Sequence, residues 1–147
     1  MHDVRLDAAV ADDAREAFAP VFIVGAHRSG TSALYGMLAE TGAFAYFSAG
    51  DIVAINAGRE GRSEEAAVEA LARVCEVLPS RLIDPTPITP DFPEEYGFVL
   101  PGRRLAPETV DLFRAACLRI AREQKRRRVL LKNPWDIDRL DFIKRAF

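Results

Sequence analysis

Residues 22–32 read FIVGAHRSGTS: an apolar run enters a turn bracketed by Gly25 and Gly30 that carries His27, Arg28 and Ser29, and two hydroxyls, Thr31 and Ser32, follow at once. A tight glycine turn between a buried strand and a helix aims several backbone N–H groups into one concavity, with the positive end of the helix dipole behind them. Such a concavity takes a phosphate or a group of like shape and charge. Gly25 and Gly30 permit backbone angles and close approaches that a Cβ would block. The hydroxyls of Ser29, Thr31 and Ser32 add donors, and Arg28 adds a charge that stays on at any working pH.

The spacing Gly25-x-x-x-x-Gly30 invites comparison with the nucleotide-hydrolysing loop G-x-x-x-x-G-K-[ST]. Thr31 stands where that loop has the lysine that reaches the terminal phosphates. The next parallel strand, VLLK over 129–132, ends in Lys132, a cation where a magnesium-binding carboxylate would be expected. One cation inside the loop and another at a neighbouring strand end suit a clamp on a transferring anionic group, with no metal. A nucleotide kinase is the less favoured reading.

The elements that must hold these groups follow from pattern. Val21–Val24 is a β-branched apolar run of the kind found in a central parallel strand buried on both faces. A helix over TSALYGMLAET, with Leu34, Met37 and Leu38 on its inner face, is expected to stop at Gly42. AFAYF (43–47) reads as a second strand, so strand, loop, helix, strand opens an α/β fold with a parallel sheet. Ser63 caps a helix with Val68, Leu71, Val74, Cys75 and Leu78 on one side. Residues 79–107 hold seven prolines and form a proline-rich loop, a substrate wall or lid by its length. Pro107 starts a helix through the basic run Lys125–Arg128, with Val110, Phe113, Cys117 and Ile120 inward. The run reads as a solvated C-terminal turn. A last helix covers 136–147, and residues 3–18 form a lead-in helix.

Composition narrows the class. With 147 residues, 49% hydrophobic and 29% charged, the chain fits one globular domain with a core. A net charge of −2 lacks the clustered basic surface that nucleic-acid binding needs. The acidic N-terminus is unlike a signal peptide and no run approaches a transmembrane segment, so the cytoplasm is the expected compartment. Cys75 and Cys117 lack metal-ligand spacing and read as plain buried thiols. The oligomeric state is left open.

The stretch PVFIVGAHRSGTSALYGMLAETGAF resembles the opening of the sulfotransferase family, in its bacterial type. Members bind 3'-phosphoadenosine 5'-phosphosulfate through a loop P-[KR]-S-G-T-[ST] between the first strand and first helix. The match runs through Arg28, Ser29, Gly30, Thr31 and Ser32, and departs at His27, where the family usually has proline. FPEEYGFVL (92–100) resembles a P-E-E segment of many bacterial members, and VLLKNPWDIDRLDFIKRAF resembles their LLK-[ST]-P strand and following helix. The resemblance implies a three-layer, P-loop-like α/β fold with a central parallel β-sheet flanked by helices.

It also implies roles. Arg28 would stabilise charge growing on the bridging oxygen, Ser29 to Ser32 would cradle the 5'-phosphate, and Lys132 would touch the sulfuryl oxygens; His27 could hydrogen-bond the donor's phosphate or act as a base. Members place the base just after the second strand, where Asp51 lies, and Glu94 and Glu95 compete with it. The acceptor would be a small molecule or a glycan or lipid. Members continue into a further strand with an R-D-P motif and a serine that hold the 3'-phosphate; neither lies within residues 1–147, so the expectation is a partial sulfotransferase domain. A non-catalytic nucleotide- or anion-binding module is the alternative.

Overall fold

The structure is a computed structural model and describes residues 18–78, 80 and 87–147. The lead-in helix and the opening of the proline-rich loop, residues 79 and 81–86, lie outside the described residues. Three strands, β1 (Ala19–Ile23), β2 (Ala45–Tyr46) and β3 (Arg128–Lys132), form a parallel sheet in the order β1-β3-β2. Helices α1 (Thr31–Glu40), α2 (Ala49–Arg59), α3 (Glu64–Val77), α4 (Val110–Glu123) and α5 (Leu140–Ala146) surround it, with single 3-10 turns at Tyr96–Val99, Pro101–Arg103, Pro107–Thr109 and Pro134–Arg139. This is the α/β architecture that the alternation of elements implies.

The expectation for the first strand is corrected in one respect. Among the described residues the middle strand is β3, not β1: Val129, Leu130, Leu131 and Lys132 are all buried, whereas every residue of β1 is half-buried. A continuous apolar run marks strong burial but not which strand lies in the middle. The register then does the positioning, because Ile23 lies opposite Lys132 and Ala19 opposite Arg128. The loop after β1 and the lysine ending β3 therefore emerge side by side at the carboxyl end of the sheet, where open α/β sheets bind ligands.

Helix α1 buries Tyr35 and Ala39, while Leu34 and Met37 are 47% and 67% exposed. The expected inner face is thus turned by about one residue. Helical spacing finds an apolar stripe but cannot tell a core face from one lining a cleft. Gly42, at φ 68°, ends this helix as expected. Helix α2 is a finding without a counterpart in the pattern reading. Its signal is the capping box: the Ser48 hydroxyl accepts from Asp51 N at 3.0 Å, and the Asp51 carboxylate accepts from Ser48 N at 2.9 Å.

Ser63 caps α3 as expected, accepting from Ala66 N at 3.2 Å, but α3 has no buried residue, and Val74 and Leu78 are more than half exposed. It leans on α2, and Glu64 holds Arg119 of α4 through two hydrogen bonds of 3.0 and 2.6 Å. Arg119 is the chief cause that lowers the Glu64 carboxyl below its ordinary range. Helix α4 buries Phe113, Cys117 and Ile120 as its spacing requires, and ends at Glu123. The basic run lies just past that end, with Lys125 at φ 53° turning the chain into β3. Both cysteines are free thiols; Cys117 is buried as expected, but Cys75 is only half-buried because its helix buries no residue. The core is aromatic where α4 meets the sheet: Tyr96 and Phe147 pack against Phe113 at 4.7 and 5.8 Å, and Phe22 closes on Phe147 at 5.5 Å.

Among the described residues, no helix is long and apolar enough to cross a membrane.

Candidate functional site

The loop from Gly25 to Gly30 is compact because its residues bond to one another. Ser29 donates to Ala26 O through both its amide, at 3.3 Å, and its hydroxyl, at 2.6 Å. A Cβ on Gly25 would stand 2.6 Å from Thr31 Cγ2 and 2.8 Å from Ser29 Oγ, so only glycine lets the turn close. Arg28 sits at φ 63° and Gly30 at φ 83°. Arginine gains nothing from the left-handed region and persists there only where the surroundings hold it, as at ligand-gripping turns.

Gly30 is the N-cap of α1 and offers no side chain to its first turn. The first bond back into the cap is Leu34 N to Gly30 O at 3.1 Å, which leaves the amides of Thr31, Ser32 and Ala33 directed at whatever lies before the helix. Arg28 is exposed and makes no ion pair among the described residues.

Lys132 faces this helix start from β3. Its side chain is only 6% exposed, and its ammonium donates to Ser32 Oγ at 2.9 Å and to Glu95 Oε1 at 2.5 Å. A cation this deep requires a partner, and Glu95 is that partner. Glu95 is placed by a rigid segment: Glu94 N donates to Phe47 O at 2.8 Å, the Tyr35 hydroxyl donates to Glu94 O at 3.2 Å, and Glu95 N donates to the Glu94 carboxylate at 3.0 Å. Burial first, and then the charge of Glu94, push the Tyr35 phenol far above its ordinary range, so Tyr35 stays a donor.

These parts enclose a cleft of about 810 Å³. His27, Arg28, Gly30, Thr31 and Ser32 line it together with Glu94, Glu95 and Lys132. A sequence model of the sulfotransferase family matches residues 20–147, which takes in the loop, the Glu94–Glu95 segment and the Lys132 strand. The chain belongs to the sulfotransferase family. No curated protein and no solved structure matches it.

Members of the sulfotransferase family transfer sulfuryl groups, and this sulfotransferase chain brings together most of the residues its sequence singles out. Ser29 and Asp51 stand apart. The Ser29 hydroxyl is spent inside the turn, and Ser29 does not line the cleft. The Asp51 carboxylate is engaged in the capping box, accepting from both Ser48 N and Ser48 Oγ with Gln124 Nε2 at 3.5 Å, and it too lies off the cleft lining. His27 lines the cleft and meets the Trp135 ring edge to face at 4.9 Å.

One element of this sulfotransferase escaped pattern reading. Asp136, 1% exposed, accepts from the Tyr96 hydroxyl at 2.8 Å, Asn133 Nδ2 at 2.9 Å and Leu105 N at 3.2 Å, with Arg104 Nε at 3.7 Å. Burial and then the Asp136 charge hold the Tyr96 phenol well above its ordinary range. This network ties the residues after Lys132 to the residues after Glu95, so it fixes both ends of the cleft's ion pair. Its only sequence signal is an acid one turn after a strand end, which is common. Among the described residues no cluster of three His, Cys, Asp or Glu could hold a metal ion.

Proposed function

We propose that the chain moves a sulfuryl group from 3'-phosphoadenosine 5'-phosphosulfate to a hydroxyl or amine acceptor, without a metal. One observation carries this reading: an arginine with no ion pair among the described residues, a helix start with no side-chain cap and a buried lysine paired to a glutamate converge on a single cleft. The donor set suits a phosphosulfate, because three amides and a guanidinium with no ion pair among the described residues offer hydrogen bonds and charge to an anion. The co-substrate supplies the sulfuryl group and departs as the 3',5'-bisphosphate.

The chain's own residues divide the work. The amides of Thr31, Ser32 and Ala33 hold the 5'-phosphate, and Arg28 meets the negative charge that grows on the bridging oxygen as the sulfur–oxygen bond breaks. Lys132 meets the sulfuryl oxygens. Glu95 takes the proton from the acceptor as its oxygen or nitrogen bonds to sulfur. Glu95 is favoured over Asp51 because it lines the cleft 2.5 Å from the lysine, while Asp51 is bound into a helix cap. A lysine drawn to the donor loosens its hold on Glu95, which frees the carboxylate where the acceptor proton is removed.

Titration calorimetry of the protein with adenosine 3',5'-bisphosphate, adenosine 5'-monophosphate and magnesium ATP tests the reading. Binding of the bisphosphate without magnesium, weakened by Arg28→Ala, is the expected result. The margin over the monophosphate measures how much of a 3'-phosphate pocket the chain has. Tight, magnesium-dependent ATP binding would overturn the assignment. Binding without sulfuryl transfer to any acceptor would favour the alternative, a nucleotide-binding module.

A further inference from the structure

Helix α3 carries apolar side chains on two faces rather than one. Val68, Leu71 and Cys75 are half-buried, and the helix leans on α2. Ala66, Ala70, Val74 and Val77 recur at intervals of four and three residues, so they share a second face, which Leu78 extends at the cap. All five are exposed, and Val77, at 79%, is the most exposed large hydrophobic residue among those described. A helix that borders only water places polar residues at such positions. None of the five lines the cleft, so the donor site does not account for them.

We infer that this face docks a second copy of the chain, α3 against α3, antiparallel about a two-fold axis. The order of sizes selects that occupant. Small residues fill the first half of the stripe and larger ones the second: Ala66 and Ala70, then Val74, Val77 and Leu78. A two-fold contact must be self-complementary. An antiparallel pair centred near residue 72 sets Ala66 against Leu78 of the second copy and Ala70 against its Val74, so each larger side chain enters the space beside a small one. A parallel pair would set small against small and leave a gap. Charge agrees with this register. Glu69 and Arg73 border the stripe, 73% and 69% exposed and 3.9 Å apart on their own helix. In the antiparallel pair each Arg73 also comes within two residues, about 3 Å along the axis, of Glu69 of the other copy. Two ion pairs then form across the axis. Glu65, Glu69 and Glu76 on the same helix oppose a membrane, because helices that lie on anionic bilayers have basic rims. A contact between two helices of this length falls below the ~1,200 Å² of total area that stable complexes bury, so the dimer is reversible on dilution.

Sedimentation velocity of the full chain over a range of concentrations tests this. A monomer–dimer equilibrium is expected. Val77→Glu should abolish the dimer and, at so exposed a residue, keep the melting temperature of the monomer. Arg73→Glu or Glu69→Arg alone should weaken the dimer by about two- to thirtyfold, the worth of two exposed ion pairs. Mixing the two charge variants should restore association, because each copy then meets the opposite sign. A chain that stays monomeric up to about 1 mM, a dimer untouched by Val77→Glu, or charge variants whose mixture associates no better than either alone would each overturn the inference. So would a monomer that binds neutral lipid vesicles and loses them with Val77→Glu, since the stripe would then belong to a membrane.

Discussion

Arg28 and Asp136 belong to neighbouring turns at the same end of the sheet, one after β1 and one after β3. Arg28 is exposed, holds a left-handed backbone and has no ion pair among the described residues. Asp136 is buried and accepts from Tyr96, Asn133 and Leu105 beside Arg104. The first turn keeps its arginine unpaired among the described residues and its conformation strained; the second satisfies a buried charge with neighbours drawn from residues 96 to 133. An exposed arginine left without an ion pair beside a frame built around a buried carboxylate marks the place a ligand completes. Loss of the frame should therefore cost stability, and loss of the unpaired group should cost binding.

The largest effect is expected at the frame. Asp136→Ala leaves the Tyr96 hydroxyl and Leu105 N without their acceptor, takes one of two acceptors from Asn133 Nδ2, and should lower the unfolding free energy by about 3–5 kcal/mol in urea titrations. A change under 1 kcal/mol would mean that the turn after β3 holds itself. Arg28→Ala tests the opposite pole: about 2.7–4 kcal/mol lost in transfer or nucleotide affinity, with the urea midpoint nearly unmoved. If the midpoint fell instead, the arginine would belong to the frame. Gly25→Ala lies between the poles, since its methyl group would collide with Thr31 and Ser29. It should cost about 1–3 kcal/mol and reduce nucleotide binding together with stability.

Smaller effects sharpen the contrast. Ser48→Ala removes one half of the α2 cap for about 1 kcal/mol and should leave nucleotide binding alone, because the cap lies off the cleft; a loss of binding would restore Asp51 as a candidate base. Alkaline pH reads the two buried phenols. Tyr35 and Tyr96 have folded pKa values raised above the ordinary 10.0, so the folded state favours their neutral form. The stability they contribute is complete below pH 10 and falls as pH rises beyond it. Tyr35→Phe, monitored by pH-dependent melting, should flatten part of that decline.

The legibility of the molecule follows the same division. The loop could be read because its constraints are local: Gly25, Arg28, Gly30 and Thr31 state their geometry within a few residues of themselves. Lys132 could be read because a cation ending an apolar strand is conspicuous. Asp136, Tyr96 and Asn133 could not, since their meaning lies in partners 30 to 40 residues away. Asp51 was legible as an acid after a strand, but the Ser48 hydroxyl beside it decides its use as a cap. Leu34 and Met37 show the limit of periodicity, which registers an apolar face equally whether it meets the core or lines a cleft. The position of β1 at the edge of the sheet among the described residues depends on which strand pairs with which, and no run of residues encodes that alone.

The pairing of Ile23 with Lys132 makes the length of β3 a kind of address. One residue inserted between Arg128 and Lys132 would send the ammonium to the other side of the sheet, and two would restore its side but carry it about 6.6 Å along the strand. Chain-length variation in this molecule should therefore gather in its turns and spare those five positions, even where the residue types within them drift.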